Sequence, residues 1–308
     1  MTKKKRIVLI AIIMISLIIL SGCRAVDQTR PIGDGFKFED IFIYPIAGIM
    51  WVVAKTIGAG NYGLTIIITT ILVRTLAWPI YAKTNDLSLK MKLVQPEQAK
   101  IQRKYAGKDD EVSRQKMQIE TMQLYKKYGI GLGGCLMPVF QFPIFVGVFR
   151  TISRMPATIL NEANELLTSG HWLRVFNKAE LFGVNLLQGQ GTGNPVQKWG
   201  VIIFAALVGL TQLFSIIIMQ IRQKKMSKEQ FSDVPAYRQP QADQMQKQTQ
   251  TSMNIMLIVM TAMMVMFVLR SPAGLGLYWL VGNIYSTGQS TISHLTSKKR
   301  LEKLKSKF

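Results

Sequence analysis

The sequence predicts an all-α membrane protein with five transmembrane helices, a cytoplasmic helical hairpin and an outer interfacial amphipathic helix. Of its 308 residues, 48% are hydrophobic, yet the formal net charge is +21. This combination does not suit one soluble domain, but it suits apolar spans joined by basic loops. Nucleic-acid binding is the other interpretation of such a charge. Because the basic residues lie between apolar runs, we predict no DNA partner.

The N-terminus predicts a targeting segment. Basic residues at 3–6 precede an apolar run at 7–20, and Leu20-Ser21-Gly22-Cys23 follows. A charged region, an apolar region and small residues before a cleavage point are typical of a signal peptide. The L-S-G-C ending resembles the lipobox of bacterial lipoproteins, which implies a signal peptide at 1–22 and a diacylglycerol on Cys23. A plain signal peptide or an uncleaved anchor is the alternative.

Five apolar segments follow the N-terminal segment in the sequence. Each is about long enough to cross ~30 Å of hydrocarbon, which takes about 20 helical residues. They are residues 62–82, 132–152, 199–221, 252–269 and 273–292. The excess of Lys and Arg places 83–128, 222–251 and the tail 293–308 in the cytoplasm, and the less basic loop 153–198 outside. Five spans then connect an external N-terminal segment, 23–61, to a cytoplasmic tail.

Residues 41–57 are the ambiguous apolar segment. A sixth span there would put the basic stretch 83–128 outside, and Pro45 and Lys55 leave the segment short. We therefore interpret it as a helix that lies on the outer membrane surface.

Residues 83–128 are predicted to form two cytoplasmic helices. Gly107 indicates the turn, Asp109 is predicted to cap the second helix, and Pro96 predicts a break or kink in the first. Sparse apolar residues predict a thin seam between the helices. Those of the second helix are Val112, Ile119 and Met122. A solvated hairpin and a docking element for a partner or for lipid headgroups are equally good interpretations.

Arg74 lies in the middle of the first predicted span, where a charge costs roughly 2.5–3.5 kcal/mol on insertion scales. Such a residue usually faces protein or a water-filled cavity, and it indicates function. An internal salt bridge is the simpler alternative. However, the five predicted spans contain no Asp, Glu or His, so a carboxylate would have to reach in from a loop.

Uncharged polar residues inside the spans are candidate neighbours of Arg74 in a hydrated cavity. Thr70 lies one turn before Arg74 on the same helix face. The others are Gln141 in the second span, Gln212 and Ser215 in the third, and Asn283, Ser286, Thr287 and Ser290 in the fifth. Hydrogen bonds between helices, worth about 0.6 kcal/mol each, explain any one of them alone. Together with an unpaired Arg74, a shared cavity is the better explanation.

The sequence predicts no catalytic set, no metal site and no cofactor. Residues 129–134 fit G-x-G-x-x-G, but they open an apolar span instead of following a strand, so they do not indicate a nucleotide site. The sequence has no Walker A motif, and its two histidines lack partners at metal-ligand spacing. We therefore predict that the protein is not an enzyme.

Three stretches resemble the YidC/OxaA/Alb family of membrane protein insertases. They are residues 71–79, 135–145 and 271–283. The resemblance extends over roughly residues 40–295, including the basic hairpin between the first two stretches. A lipidated N-terminus without a large external domain is similar to the Gram-positive members of this family.

The resemblance implies an insertase core at 62–292, in the bacterial cell membrane, that inserts integral membrane proteins and acts as their chaperone, with lipoproteins as further clients. A groove open to the cytoplasm and to lipid, but closed outside, would hold Arg74. The residues implied to line it are Arg74, Thr70, Gln141, Gln212, Trp279 and Asn283. Implied partners are nascent membrane proteins, the Sec translocase and membrane lipids. The ribosome and the signal recognition particle receptor are further candidates for the basic hairpin and tail.

A small-anion transporter or channel is the alternative, with Arg74 as the anion site. It would require inverted repeats or broken helices in matching halves, and the sequence has no convincing symmetry. A membrane enzyme is disfavoured because no catalytic set can be found.

Overall fold

The computed structural model describes residues 30–105, 107–108, 110–130, 137–161, 163, 165–167, 169–230 and 244–296. The helices are α1 (Asp40–Lys55), α2 (Tyr62–Leu76), α3 (Trp78–Tyr105), α4 (Glu111–Lys127), α5 (Met137–Ile159), α6 (Pro195–Gln230), α7 (Gln244–Arg270) and α8 (Ala273–Leu295). A short antiparallel hairpin, β1 (Glu180–Leu181) and β2 (Val184–Asn185), and a 3-10 turn (Gln190–Thr192) lie between α5 and α6. The prediction of a mainly helical protein is confirmed.

One helical stretch in the described part of the chain, Pro195–Arg222, is by itself long and apolar enough to cross a membrane, with a mean hydropathy of 2.6. Tyr62–Leu76 and Asn254–Arg270 are apolar but shorter. The arrangement of five spans therefore stays a prediction. The predicted signal peptide, Cys23 and most of the predicted tail lie outside the described residues.

Helix α8 is the central helix, because α2 and α6 both pack along it and α7 packs against α6. Its first two turns are buried, and small residues permit the close approach of its neighbours. At Gly276, a Cβ atom would lie 2.9 Å from Val268 and 3.1 Å from Phe204. Only Ser271 and Pro272 separate α7 from α8, so these two helices form a tight hairpin.

The connection between α5 and α6 is folded onto the bundle. Phe176 packs edge-on against buried Tyr62 at the start of α2, with ring centroids 5.0 Å apart. The amide of Tyr62 donates to Lys178 O at 2.8 Å, and the amide of Gly274 donates to Leu186 O at 2.8 Å. The connection therefore joins the first residues of α2 to the first residues of α8.

Helix α1 packs on α5 and α2. Its buried face includes Ile43, Ala47 and Met50, whereas Ile41 and Val52 are about half exposed. Close packing on α5 requires Gly147, since a Cβ atom there would lie 2.5 Å from Phe42 O.

The predicted first span, 62–82, is divided at Ala77, where α2 ends and α3 begins. Pro79 falls in the first turn of α3, a position at which the missing N–H is tolerated. Arg74 consequently lies in the last turn of α2.

The helical hairpin differs from its prediction in two local features. Helix α3 continues through Pro96, so of the predicted break or kink the break is wrong, and the kink stays a prediction. The second helix is capped by Asp110, whose side chain accepts a hydrogen bond from Ser113 N at 2.8 Å, and the predicted Asp109 cap is one residue too early.

The seam between α3 and α4 also differs from the apolar seam that the sequence predicted. Val94 and Leu124 are buried, whereas the predicted seam residues of α4 are 54–59% exposed. Glu120 instead accepts hydrogen bonds from Lys104 at 2.6 Å and from Tyr105 at 2.8 Å. Polar contacts therefore orient α4, and Val112, Ile119 and Met122 face outward while Leu124 packs inward.

Candidate polar groove around Arg74

Arg74 reaches from the last turn of α2 to α8. Its Nη1 donates to Ser286 Oγ at 2.5 Å. The guanidinium lies against Gly282, where a Cβ atom would be 2.7 Å from Nη2 and 3.4 Å from Cζ. Tyr278, one turn before Gly282 on α8, also interacts with Arg74. Because Tyr278, Gly282 and Ser286 are spaced by four residues, they share one face of α8.

The positive charge of Arg74 has no counter-charge among the ion pairs of the described residues. The cations of these ion pairs are Arg30, Lys104, Lys127, Arg150 and Arg154. Hydroxyl groups satisfy some guanidinium N–H groups without neutralising the charge. The described residues also contain no cluster of three His, Cys, Asp or Glu that could hold a metal ion. The site can therefore attract an anionic group and offer it hydrogen-bond donors.

Residues just after Arg74 in the sequence make further contacts between α2, α3 and α8. The hydroxyl groups of Thr75 and Tyr285 are 2.8 Å apart. Trp78 packs edge-on against the Tyr285 ring, with centroids 6.5 Å apart. The polar face around Arg74 thus continues towards the α2–α3 junction.

Four other polar residues of α8, Asn283, Thr287, Ser290 and Thr291, contact α6. Asn283 donates to Val208 O and to Thr211 Oγ1, both at 3.3 Å. The hydroxyl oxygens of Ser215 and Thr287 are 2.5 Å apart. Nearer the C-terminal end of α8, Arg222 donates to Ser290 at 3.0 Å and to Thr291 at 2.7 Å. Helix α8 therefore presents one polar face to Arg74 and a second polar face to α6.

The residues implied to line the groove occupy different environments. Thr70 is 1% exposed and donates to Ile66 O in its own helix at 2.6 Å. Trp279 is 4% exposed and stacks on Phe145, with centroids 6.4 Å apart. Gln212 is half-buried on α6. Gln141 belongs to α5, but its side chain is outside the described residues.

The structure thus brings Arg74 together with Ser286, Gly282 and Tyr278, while Asn283 contacts α6. Ser286 was among the neighbours of Arg74 predicted from the sequence, whereas Gly282 and Tyr278 were not. Their four-residue spacing from Ser286 was the available signal, since residues at this spacing share a helix face. The lining roles of Thr70, Gln141, Gln212, Trp279 and Asn283 stay predictions.

A charged residue within a bundle of apolar helices usually faces protein or a water-filled cavity and indicates a functional site. Residues 52–300 match the family described as 60Kd inner membrane protein. The chain therefore belongs to this family, which is the YidC/OxaA/Alb family.

Relatives of this chain cover nearly its whole length. The chain is 30% identical to the membrane protein insertase YidC of Oceanobacillus iheyensis, over 94% of this chain and 96% of the relative. It is 29% identical to the membrane protein insertase MisCA of Bacillus subtilis, over 94% of this chain and 92% of the relative. It is also 29% identical to the membrane protein insertase YidC 2 of Listeria innocua, over 98% and 89% respectively.

Proposed function

We propose that this protein is an insertase and chaperone of integral membrane proteins, and that a polar groove around Arg74 is its substrate site. The observation that carries this proposal is the position of Arg74, whose guanidinium donates to Ser286 on α8 without a carboxylate partner in the described ion pairs. Membership of the insertase family supports the same function.

The groove would act on the hydrophilic outer segment of a single-spanning substrate. An uncompensated positive charge in a low-dielectric cavity attracts acidic residues of that segment. Arginine has five N–H donors, so a guanidinium held by Ser286 keeps others for the substrate. Transfer of the substrate's apolar segment into lipid would then release it, and the membrane potential would draw its acidic residues outward.

The proposed topology has five spans, an external N-terminus anchored by lipid on Cys23 and a cytoplasmic tail. The concentration of Lys and Arg in 83–128 and 222–251 supports this orientation. The basic hairpin and tail would contact the Sec translocase, the signal recognition particle receptor or the ribosome. The half-exposed apolar residues of α1 support its position at the outer interface.

Replacement of Arg74 tests the proposal. In a strain depleted of its own insertase, Arg74→Ala should lower insertion of a client with an acidic outer segment about tenfold or more, and Arg74→Lys should retain part of the activity. Arg270→Ala is the matched control because Arg270 is exposed, and it should insert at the parental rate.

The outcome for Arg74→Ala also distinguishes the alternatives. Full activity of this variant would remove the charge-attraction mechanism. Photo-crosslinks from positions beside Arg74 to a nascent single-spanning protein are expected for an insertase. If small anions protected the site and nascent chains did not crosslink, the transporter interpretation would replace it.

A further inference from the structure

A buried charge cluster joins the N-terminal segment to the C-terminal end of α5. Arg154 is 1% exposed and Asp40, the first residue of α1, is 0% exposed. Arg154 donates to Asp40 Oδ1 at 2.9 Å, to Pro31 O at 2.7 Å and to Arg30 O at 3.0 Å. All three guanidinium nitrogens therefore hold the segment that leads into α1.

Neighbouring contacts complete this attachment. Asp40 Oδ2 accepts from Lys37 N at 2.8 Å, and Ile32 N donates to Thr158 Oγ1 on α5 at 2.9 Å. At the rim, Glu39 lies 3.5 Å from Arg150 and 3.7 Å from Arg154, beyond hydrogen-bond distance of either. Loss of a buried, hydrogen-bonded carboxylate costs more than loss of a partly exposed one that lies beyond hydrogen-bond distance, and the Glu39 side chain is 28% exposed whereas that of Asp40 is 1% exposed. Asp40 should therefore matter far more than Glu39.

The helix that begins at Asp40 packs over the part of the bundle next to Arg74. Ile46 and Met50 of α1 line a narrow apolar cavity. The other residues of its lining are Ile66, Thr69, Thr70 and Val73 of α2, Val148 and Ile152 of α5, and Tyr278 of α8. Val73 directly precedes Arg74, and Tyr278 interacts with it. Apolar packing that includes α1 therefore separates Arg74 from the end of the bundle at which α2 begins.

We propose that α1 is the seal that closes the Arg74 groove on the outer side, and that Arg154 is the positioning residue that holds this seal through Asp40. The proposal rests on the proposed groove and topology. Closure has no need of a client protein, so the seal can be measured separately from insertion.

A reporter cysteine beside Arg74 measures the seal. Val73→Cys is introduced together with Cys135→Ala, which leaves Cys23 as the other cysteine, and Cys135→Ala alone measures its background. Intact cells are treated with a membrane-impermeant maleimide. Asp40→Asn should increase labelling of the reporter about tenfold or more, because it removes the buried carboxylate to which Arg154 is hydrogen-bonded and leaves only Glu39, 3.7 Å away. Glu39→Gln removes the adjacent carboxylate at the rim. In this variant, labelling of the reporter should stay within about twofold of the parental level.

Parental labelling of a well-produced Asp40→Asn protein would overturn the proposal, as would equal labelling of both variants. If Asp40→Asn does not accumulate, Met50→Ala keeps the charge cluster intact and removes a side chain of the seal. It should also increase outer labelling, and an unchanged rate would contradict the seal.

Inverted membranes separate this proposal from the proposed function. Their labelling reports access from the cytoplasmic side, which should be high in every variant. Absence of that labelling would contradict the groove itself, whereas the response to Asp40→Asn concerns the seal alone.

Discussion

At the residue scale, the position of Arg74 depends on Gly282, which has no side chain and so leaves room for the guanidinium. Gly282 of α8 leaves the space in which the guanidinium lies, and Ser286 accepts its hydrogen bond. The sequence identified Arg74 because the predicted spans contain no carboxylate. It did not identify Gly282, because the need for glycine arises only when α2 and α8 approach each other.

Gly282→Ala should therefore lower insertion several-fold without unfolding the protein. The atoms that a new Cβ would meet belong to the end of a flexible side chain, so the guanidinium would move and the helices would stay. Alanine also favours a helix over glycine by about 1 kcal/mol. Insertion of a client with an acidic outer segment and thermal unfolding in detergent would be measured together.

Gly288→Ala is the control for Gly282→Ala. Gly288 is on the same helix, and a Cβ atom there would meet nothing within 4 Å. It should gain the same helix propensity and keep parental activity. Equal activity of the two variants would mean that insertion does not require a fixed guanidinium.

At the scale of elements, the helical hairpin illustrates the limit of apolar patterns. The turn at Gly107, with a φ of 78°, was predictable because glycine favours this conformation. The seam was not, since Val112, Ile119 and Met122 are exposed while Glu120 contacts Lys104 and Tyr105 across the hairpin. With so few apolar residues, these polar contacts decided which face of α4 points inward.

The hairpin contact should weaken in acid. Hydrogen bonds from Lys104, then from Tyr105, lower the pKa of Glu120 from its usual 4.5. A lowered carboxyl pKa contributes stability that is present above the unfolded value and is lost as pH falls through the folded pKa. The distance between spin labels at the exposed positions Arg103 and Lys116 should therefore be constant near neutral pH and increase below pH 4.5.

Glu120→Gln tests the origin of this transition. The amide cannot titrate, so the label distance should lose its dependence on pH in this range. Glu111→Gln changes an exposed carboxylate at the start of α4 and should keep the parental transition. An acid transition that survives in Glu120→Gln would exclude Glu120 as its cause.

At the scale of the whole molecule, the connection between α5 and α6 holds separate helices together. The sequence predicted only a loop at 153–198. In the structure α5 continues to Ile159, and the connection then bonds to α2 and α8. Arg154, counted with that loop, is instead buried against Asp40. The sequence could not predict these pairings, because they join residues that are distant in the chain and carry no local periodicity.

Gly274→Ala should lower the stability of the assembled bundle by about 1–3 kcal/mol, the usual cost of overpacking. A Cβ atom at Gly274 would lie 3.0 Å from Leu186 O and 3.0 Å from Ile66 Cδ1. The Leu186 carbonyl is part of the backbone and accepts from Gly274 N at 2.8 Å, so it cannot move without loosening the connection. Gly48→Ala is the control, because a Cβ atom there would meet nothing within 4 Å and helix propensity should raise stability by up to about 1 kcal/mol. Thermal unfolding in detergent would compare the two, and a Gly274→Ala protein that unfolds at or above the parental temperature would show that this contact does not hold the bundle together.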